Sequence, residues 1–339
     1  MKSAIYLGKE NVKITDVPVP EAGDGGVVIR NIYSSICGTD VAVYKHGPET
    51  GHKITVGGEF GHETVSVVAA VGKNVTDFKV GDRVYPYPLY AKGDTKRAGT
   101  FGGFSEYIYI PDPRPEYSLY HVPKEIPDKI ACLTEPFTVG TRAARRSQPK
   151  AGEKAVVFGC GTIGIAAAAA LKYFGIEKVM ICDISDFRLN IAEKMGFAVC
   201  NTLSESFAER AKDYFGTARS LPGETADADI FIDAAGAEGI LDTFMQLGKF
   251  ESRFVSVAVN KNLRSLDLLR LTYGQQSIIG SGGYMPEDVR DVFEIMKSRQ
   301  DISSIITHEY PIDELPQALE KASDSSSALN VVIDFGISE

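Results

Sequence analysis

The chain has 339 residues, more than one hydrophobic core ordinarily serves, so two domains are expected. A formal net charge of −9, with 44% hydrophobic and 24% charged residues, argues against a nucleic-acid partner and fits a soluble globular chain. Neither a secretory signal nor a membrane segment is expected: MKSAIYLGKENVK has no long apolar core, and the longest apolar run, 163–171, is far short of a bilayer span.

Residues 1 to about 110 read as a β region, with short runs at 27–32, 64–71, 83–87 and 105–110 separated by Gly, Pro and Asp turns. The stretches 72–75 and 80–84 read as two strands joined around a loop. A proline-rich stretch, 111–115, opens an irregular connection to Pro127. From Asp128, which serves as a cap, a helical pattern carries Ile130, Leu133 and Thr134 to Glu135-Pro136.

Past Lys150-Ala151-Gly152 the chain alternates strands and helices. The apolar run 155–158 is a buried strand that ends in Gly159, Gly161 and Gly164, a G-x-G-x-x-G pattern. The first glycine permits a tight turn, the second lets backbone approach a pyrophosphate, and the third lets helix pack on strand. After Thr162, itself a candidate cofactor contact, Ile163 opens an alanine-rich helix reaching 174, whose free N–H groups face the phosphates. The run 178–182 then ends at Asp183, where a carboxylate accepts hydrogen bonds from the adenosine ribose. Strand, glycines, helix, strand and acid in register point to a dinucleotide. Helices at 187–195 and 240–247 alternate with strands at 229–233, 254–259 and 277–280, which implies a parallel sheet covered on both faces. The tail from Pro286 holds a helix, a strand at 305–310, a helix at 315–322 and a strand at 330–335. It is expected to return to the first domain and leave the active site in the cleft between domains.

Cys37-Gly38-Thr39-Asp40, Gly61-His62-Glu63 and Glu135, the last at a helix-to-loop junction, supply a thiolate, an imidazole and carboxylates. That mixed S/N/O set suits Zn²⁺, and Asp40 is placed to accept the free imidazole N–H of His62. The plainer reading of each residue alone is structural. Cys132, Cys182 and Cys200 read as small core hydrophobes, and His52, His121 and His308 as ordinary satisfied histidines. Five cysteines, odd in number and without a C-x-x-C pair, are a reduced, cytoplasmic pattern.

The order Cys-Gly-Thr-Asp, Gly-His-Glu, Glu-Pro and Gly-x-Gly-x-x-Gly resembles the medium-chain zinc-dependent alcohol dehydrogenases over essentially the whole chain, closest to the sorbitol, threonine and sugar-alcohol-phosphate branch. The resemblance implies an α/β fold. Residues 1–150 and 286–339 would form a GroES-like β-rich catalytic domain, and 151–285 a Rossmann, doubly wound parallel-sheet domain. It implies Cys37 and His62 as zinc ligands, with Glu63 a ligand or a close neighbour. Glu135 is a ligand in some members and holds the zinc-bound water in others. Thr39 would carry the substrate proton away, and Val139 would lie against the nicotinamide.

Three departures from the family pattern matter. Residues 86–105 contain no cysteine, so one catalytic zinc and no structural zinc is expected. The relay histidine common in the family is Ala42 here, with His46 the nearest substitute. Polyol dehydrogenases tend to carry Arg-Tyr where this chain has Gly283-Tyr284.

The expected function is hydride transfer between NAD and a secondary alcohol, a polyol, sugar or sugar-alcohol derivative. Asp183 repels a 2′-phosphate, and neither Ile184 nor Ser185 supplies a cation, which favours NAD over NADP; Arg188 reads as a solvated face residue. Alternatives are a zinc-free enone or quinone reductase of the same fold, or a non-catalytic dinucleotide-binding protein. Retention of Cys37, His62, Glu63 and Glu135 together speaks against the latter. Tyr44, Phe60, Phe101 and Tyr284 are expected pocket walls; Lys92, Lys96 and Arg97 offer cations for a phosphate, though a charge cluster in an irregular segment is usually just solvated. The family also implies a homodimer or homotetramer, with strands pairing near 254–259.

Overall fold

Strand Val27–Ser35 is buried along most of its length and forms the spine of the first of two units. The computed structural model describes residues 1–50, 54–93, 101–259 and 262–337. Its units are Met1–Glu135 with Met296–Glu339, and Pro136–Ile295.

In the first unit one sheet runs in the order Ile306–Pro311, Asn330–Asp334, Val27–Ser35, Glu63–Val71, Arg83–Pro86, Leu119–His121, with Tyr107–Ile110 also paired to Val27–Ser35. Asn330–Asp334 lies antiparallel beside Val27–Ser35, so a late segment of the chain is built into the sheet of an early one. The ladder between Val27–Ser35 and Glu63–Val71 sets Ser35 opposite Glu63. Cys37, two residues on, therefore comes to the same sheet end as His62. A hairpin, Lys2–Gly8 with Asn11–Asp16, and a helix, Gly38–His46, join the elements foreseen in the sequence.

Phe60 and Phe101 have no exposed surface. Phe60 packs edge-on to Phe104 in a core shared with Tyr44, Leu315 and Leu319, while Phe101 belongs to a second core with Phe78, Ile108 and Leu119. The aromatics expected as pocket walls are thus core residues, because large rings gain most by full burial. Tyr284, in the other unit, is buried as well.

The second unit is a six-stranded parallel sheet ordered Ala198–Asn201, Lys178–Asp183, Lys154–Phe158, Ile230–Asp233, Arg253–Ser256, Ser277–Gly280. In chain order this is 3-2-1-4-5-6, the Rossmann arrangement, which reverses direction between Lys154–Phe158 and Ile230–Asp233. Arg253–Ser256 is paired on both sides, so it cannot serve as the strand that joins two copies. The unpaired edge on that side is Ser277–Gly280.

The expected helix ending at Glu135 is two segments, Asp128–Ala131 capped by Pro127, and Thr134–Arg146. Glu135 stands in the first turn of the longer helix, followed by Pro136, whose fixed φ suits a helix start. No helix among the described residues is long and apolar enough to cross a membrane.

Candidate functional site

Cys37 caps the helix Gly38–His46, and its backbone N–H donates to Asp40 Oδ2 at 3.1 Å. That bond fixes both the thiol and a fully buried carboxylate at one helix start. Asp40 Oδ1 lies 3.5 Å from His62 Nδ1. The ligand atoms of Cys37, His62 and Glu63 all lie within 4.8 Å of one another. Glu135 stands outside this tight group.

Burial and mutual crowding raise the proton affinity of the acidic donors here. Burial, reinforced by Glu63, pushes the Cys37 thiol up to about 12. Burial, with Glu63 and Asp40 adding and His62 opposing, pushes Glu135 up to about 8. Glu63 is raised too, chiefly by burial. Burial disfavours the His62 imidazolium, but Asp40 and Cys37 beside it hold the ring well above its usual range. A divalent cation among these crowded donors would favour their charged forms instead. Glu63 Oε2 and Thr39 Oγ1 are buried with no hydrogen-bond partner among the described residues. Donor set, burial and partnerless oxygens fit a zinc ion.

In the second unit, Gly159 adopts φ +102 and packs on Ala234–Ala235, while a Cβ on Gly164 would fall 1.8 Å from the Gly159 carbonyl oxygen. A Cβ on Gly161 would meet nothing within 4 Å, which leaves the open space a pyrophosphate needs. No side chain caps the helix Thr162–Tyr173 that follows, and the positive end of its dipole lies at the glycine turn, where it favours an anion. Asp183 ends the next strand. Its Oδ2 accepts from Cys160 N–H at 2.6 Å, and its Oδ1 from Ile184 and Ser185 N–H at 2.7 and 2.9 Å. The acid is therefore held by the glycine turn itself, a contact that spacing alone does not reveal. Val139 is half-buried on the helix Thr134–Arg146.

The remaining expectations sort simply. His46 is exposed at the end of the Gly38–His46 helix, His121 stacks on Phe78 at 4.8 Å, and His308 meets Thr307. Cys132, Cys182 and Cys200 are buried. His52, Lys96 and Arg97 lie outside the described residues, and Lys92 sits over the Phe101 ring. Sequence reasoning passed over Ser35, which stands opposite Glu63 in the ladder, lowers that carboxyl's proton affinity, and has a hydroxyl that accepts from Asn330 Nδ2 at 2.9 Å. The available signal was polar residues inside an otherwise apolar strand, VVIRNIYSS.

A β-rich unit that gathers sulfur, nitrogen and oxygen donors, joined to a dinucleotide-type sheet with its glycine turn intact, has the makings of a metal-assisted dehydrogenase. Residues 23–124 match the alcohol dehydrogenase GroES-like domain, and residues 162–298 the zinc-binding dehydrogenase family. The L-threonine 3-dehydrogenase of Proteus mirabilis (strain HI4320) is 29% identical over 346 residues, covering 95% of this chain and 96% of that protein. Among solved structures, 2R,3R-butanediol dehydrogenase from Bacillus subtilis aligns with a TM-score of 0.83 at 24% identity, covering 98% of this chain and 99% of its own. Galactitol-1-phosphate dehydrogenase from Escherichia coli aligns at 0.82 and 19%, covering 98% and 100%. The chain belongs to the medium-chain zinc-dependent alcohol dehydrogenase superfamily, the family of zinc-dependent alcohol and polyol oxidoreductases.

Proposed function

We propose that this enzyme oxidises a secondary alcohol of the polyol, sugar or sugar-alcohol class with NAD, using one zinc ion held by Cys37, His62 and Glu63, with Glu135 beside them. The convergence of the three donors within 4.8 Å carries the reading. Zinc bound there would supply Lewis-acid polarisation of the substrate oxygen. Asp40 keeps His62 in one tautomer, facing its other nitrogen to the ion. The buried Thr39 hydroxyl, with no other partner among the described residues, accepts the departing proton. Ala42 provides no onward relay, so that proton leaves through water.

On the nucleotide side, Gly159, Gly161 and Gly164 shape the pyrophosphate turn, and Thr162 and Ile163 present helix N–H groups to it. Val139 lies against the nicotinamide. The Asp183 carboxylate, oriented by three backbone N–H groups, accepts from the ribose hydroxyls and repels a 2′-phosphate. Threonine and butanediol, the substrates named for two relatives, each carry a secondary hydroxyl beside a polar neighbour, which supports the substrate class. The reduced cysteines favour a cytoplasmic setting. Two copies pair along the exposed edge strand Ser277–Gly280, which follows in sequence the helix Leu268–Tyr273 with its exposed Leu268, Leu269 and Tyr273.

The test is metal analysis together with a screen of secondary alcohols, polyols and sugar phosphates followed by NADH absorbance. One zinc per chain and NADH formation with a member of the panel is the expected result. Tight NADH binding with neither zinc nor turnover would overturn the reading.

A further inference from the structure

Behind the metal donors stands a buried polar group that takes no part in binding or chemistry. Asn31, on strand Val27–Ser35, has no exposed surface. Its Nδ2 donates to the carbonyls of Gly103 and Ser105 at 3.1 and 2.7 Å. Its Oδ1 accepts from Thr64 Oγ1 and Ser66 Oγ at 2.8 and 2.7 Å. All four hydrogen-bonding capacities of the amide are used.

These bonds lead to the two sides of the His62–Glu63 pair. On the far side, Thr64 follows Glu63 directly in the strand. On the near side, the turn that Asn31 holds is pressed against the peptide preceding His62. Gly103 N–H donates to the Gly61 carbonyl at 2.8 Å, and Phe104 N–H to the Phe60 carbonyl at 3.1 Å. A Cβ on Gly103 would fall 2.7 Å from the His62 nitrogen. Gly61 itself takes φ +84, with the Phe104 ring where its Cβ would be. The donor pair is thus bracketed, and one amide joins the brackets.

We propose that Asn31 is a positioning residue for the metal centre: by tying the 102–105 turn to the strand that carries Glu63, it holds the His62 and Glu63 backbones at the spacing one ion requires. An apolar residue could fill the same volume. A fully satisfied buried amide instead specifies one arrangement, because any slip strands several polar groups away from water. Metal donors need such precision, since coordination tolerates only a few tenths of an ångström. The inference rests on the zinc reading of Cys37, His62 and Glu63.

The experiment compares wild type with Asn31→Asp, Thr64→Val and Thr64→Ser. Asn31→Asp keeps the shape but replaces the two donors, and Thr64→Val removes one hydroxyl that Thr64→Ser restores. Zinc affinity is measured by competition with a chromophoric chelator, and site geometry by the visible spectrum of the cobalt-substituted protein. Circular dichroism and NADH titration report folding and the nucleotide site. Asn31→Asp and Thr64→Val are expected to fold and bind NADH like wild type, to lose zinc affinity by about 10- to 100-fold, and to shift the cobalt spectrum. Thr64→Ser should stay near wild type. If wild type binds no zinc, the underlying metal reading fails. If wild type binds zinc and the folded variants hold it equally well, or if neither Asn31→Asp nor Thr64→Val folds, the positioning role is overturned.

Discussion

Thr39 shows how much chemistry a single side chain carries here. Its Oγ1 is buried one residue into the helix that Cys37 caps, between the metal donor and Asp40 in the chain. Thr39→Val should lower kcat by about 100-fold or more, the usual contribution of a positioned proton acceptor, while zinc content and NADH affinity stay unchanged. Thr39→Ser should recover most of the loss in the same steady-state assay; full activity in the valine variant would contradict the assignment. At this scale the sequence was legible where a residue's type dictates its chemistry. Cys37, His62 and Glu63 could be singled out because thiol, imidazole and carboxylate have few other reasons to recur near one another in a short β region. Tyr44, Phe60 and Phe101 could not, because an aromatic ring has the same composition whether it lines a pocket or fills a core. Asp183 was legible as an acid, but its grip on the Cys160 N–H depends on the loop's path.

At the scale of elements, the nucleotide turn depends on glycines for reasons of space. A methyl group at position 164 would lie 1.8 Å from the Gly159 carbonyl oxygen, so helix and turn must separate to admit it. Gly164→Ala should cost about 1–3 kcal/mol, read as a lower melting temperature, and should weaken NADH binding in a fluorescence titration. The other end of the sheet is tied by Asp227, which accepts from the ammonium groups of Lys154 and Lys249. Burial raises the Asp227 proton affinity, but the two lysines outweigh it and hold the carboxyl below its usual range. A depressed carboxylate stabilises the fold above its unfolded pKa of about 3.9, and that contribution disappears as pH falls through the lower folded value. Asp227→Asn should therefore melt below wild type at neutral pH, with the gap closing as pH falls through and below the free carboxylate value of about 3.9. A gap independent of pH would show that the ion pairs are not its source. The strands flanking the glycines were legible because each is a strong apolar run. The third Rossmann strand, Ala198–Asn201, is only AVCN, and the following helix, Phe207–Phe215, begins after a polar stretch, so neither announced itself. The helix Gly38–His46 was hidden likewise, since its signal lies in the Cys37–Asp40 cap and not in apolar periodicity.

For the whole molecule, Ser277–Gly280 is an exposed sheet edge among the described residues, and the proposed pairing of two copies would cover it. Ile278→Lys places a charge on that edge and should convert the assembly to monomers in sedimentation analysis; a wild type already monomeric would remove the interface. The proposed catalysis requires one ion at the end of the Val27–Ser35 and Glu63–Val71 ladder, where Cys37 and His62 meet. Its most direct test is the zinc content of the purified protein, measured by mass spectrometry for wild type and for His62→Ala. The account predicts one zinc per chain in wild type, close to none in a folded His62→Ala variant, and a fall of about 1000-fold or more in alcohol oxidation with the metal. Wild type that turns over alcohol without zinc, or a folded His62→Ala variant that retains its full metal content, would contradict it.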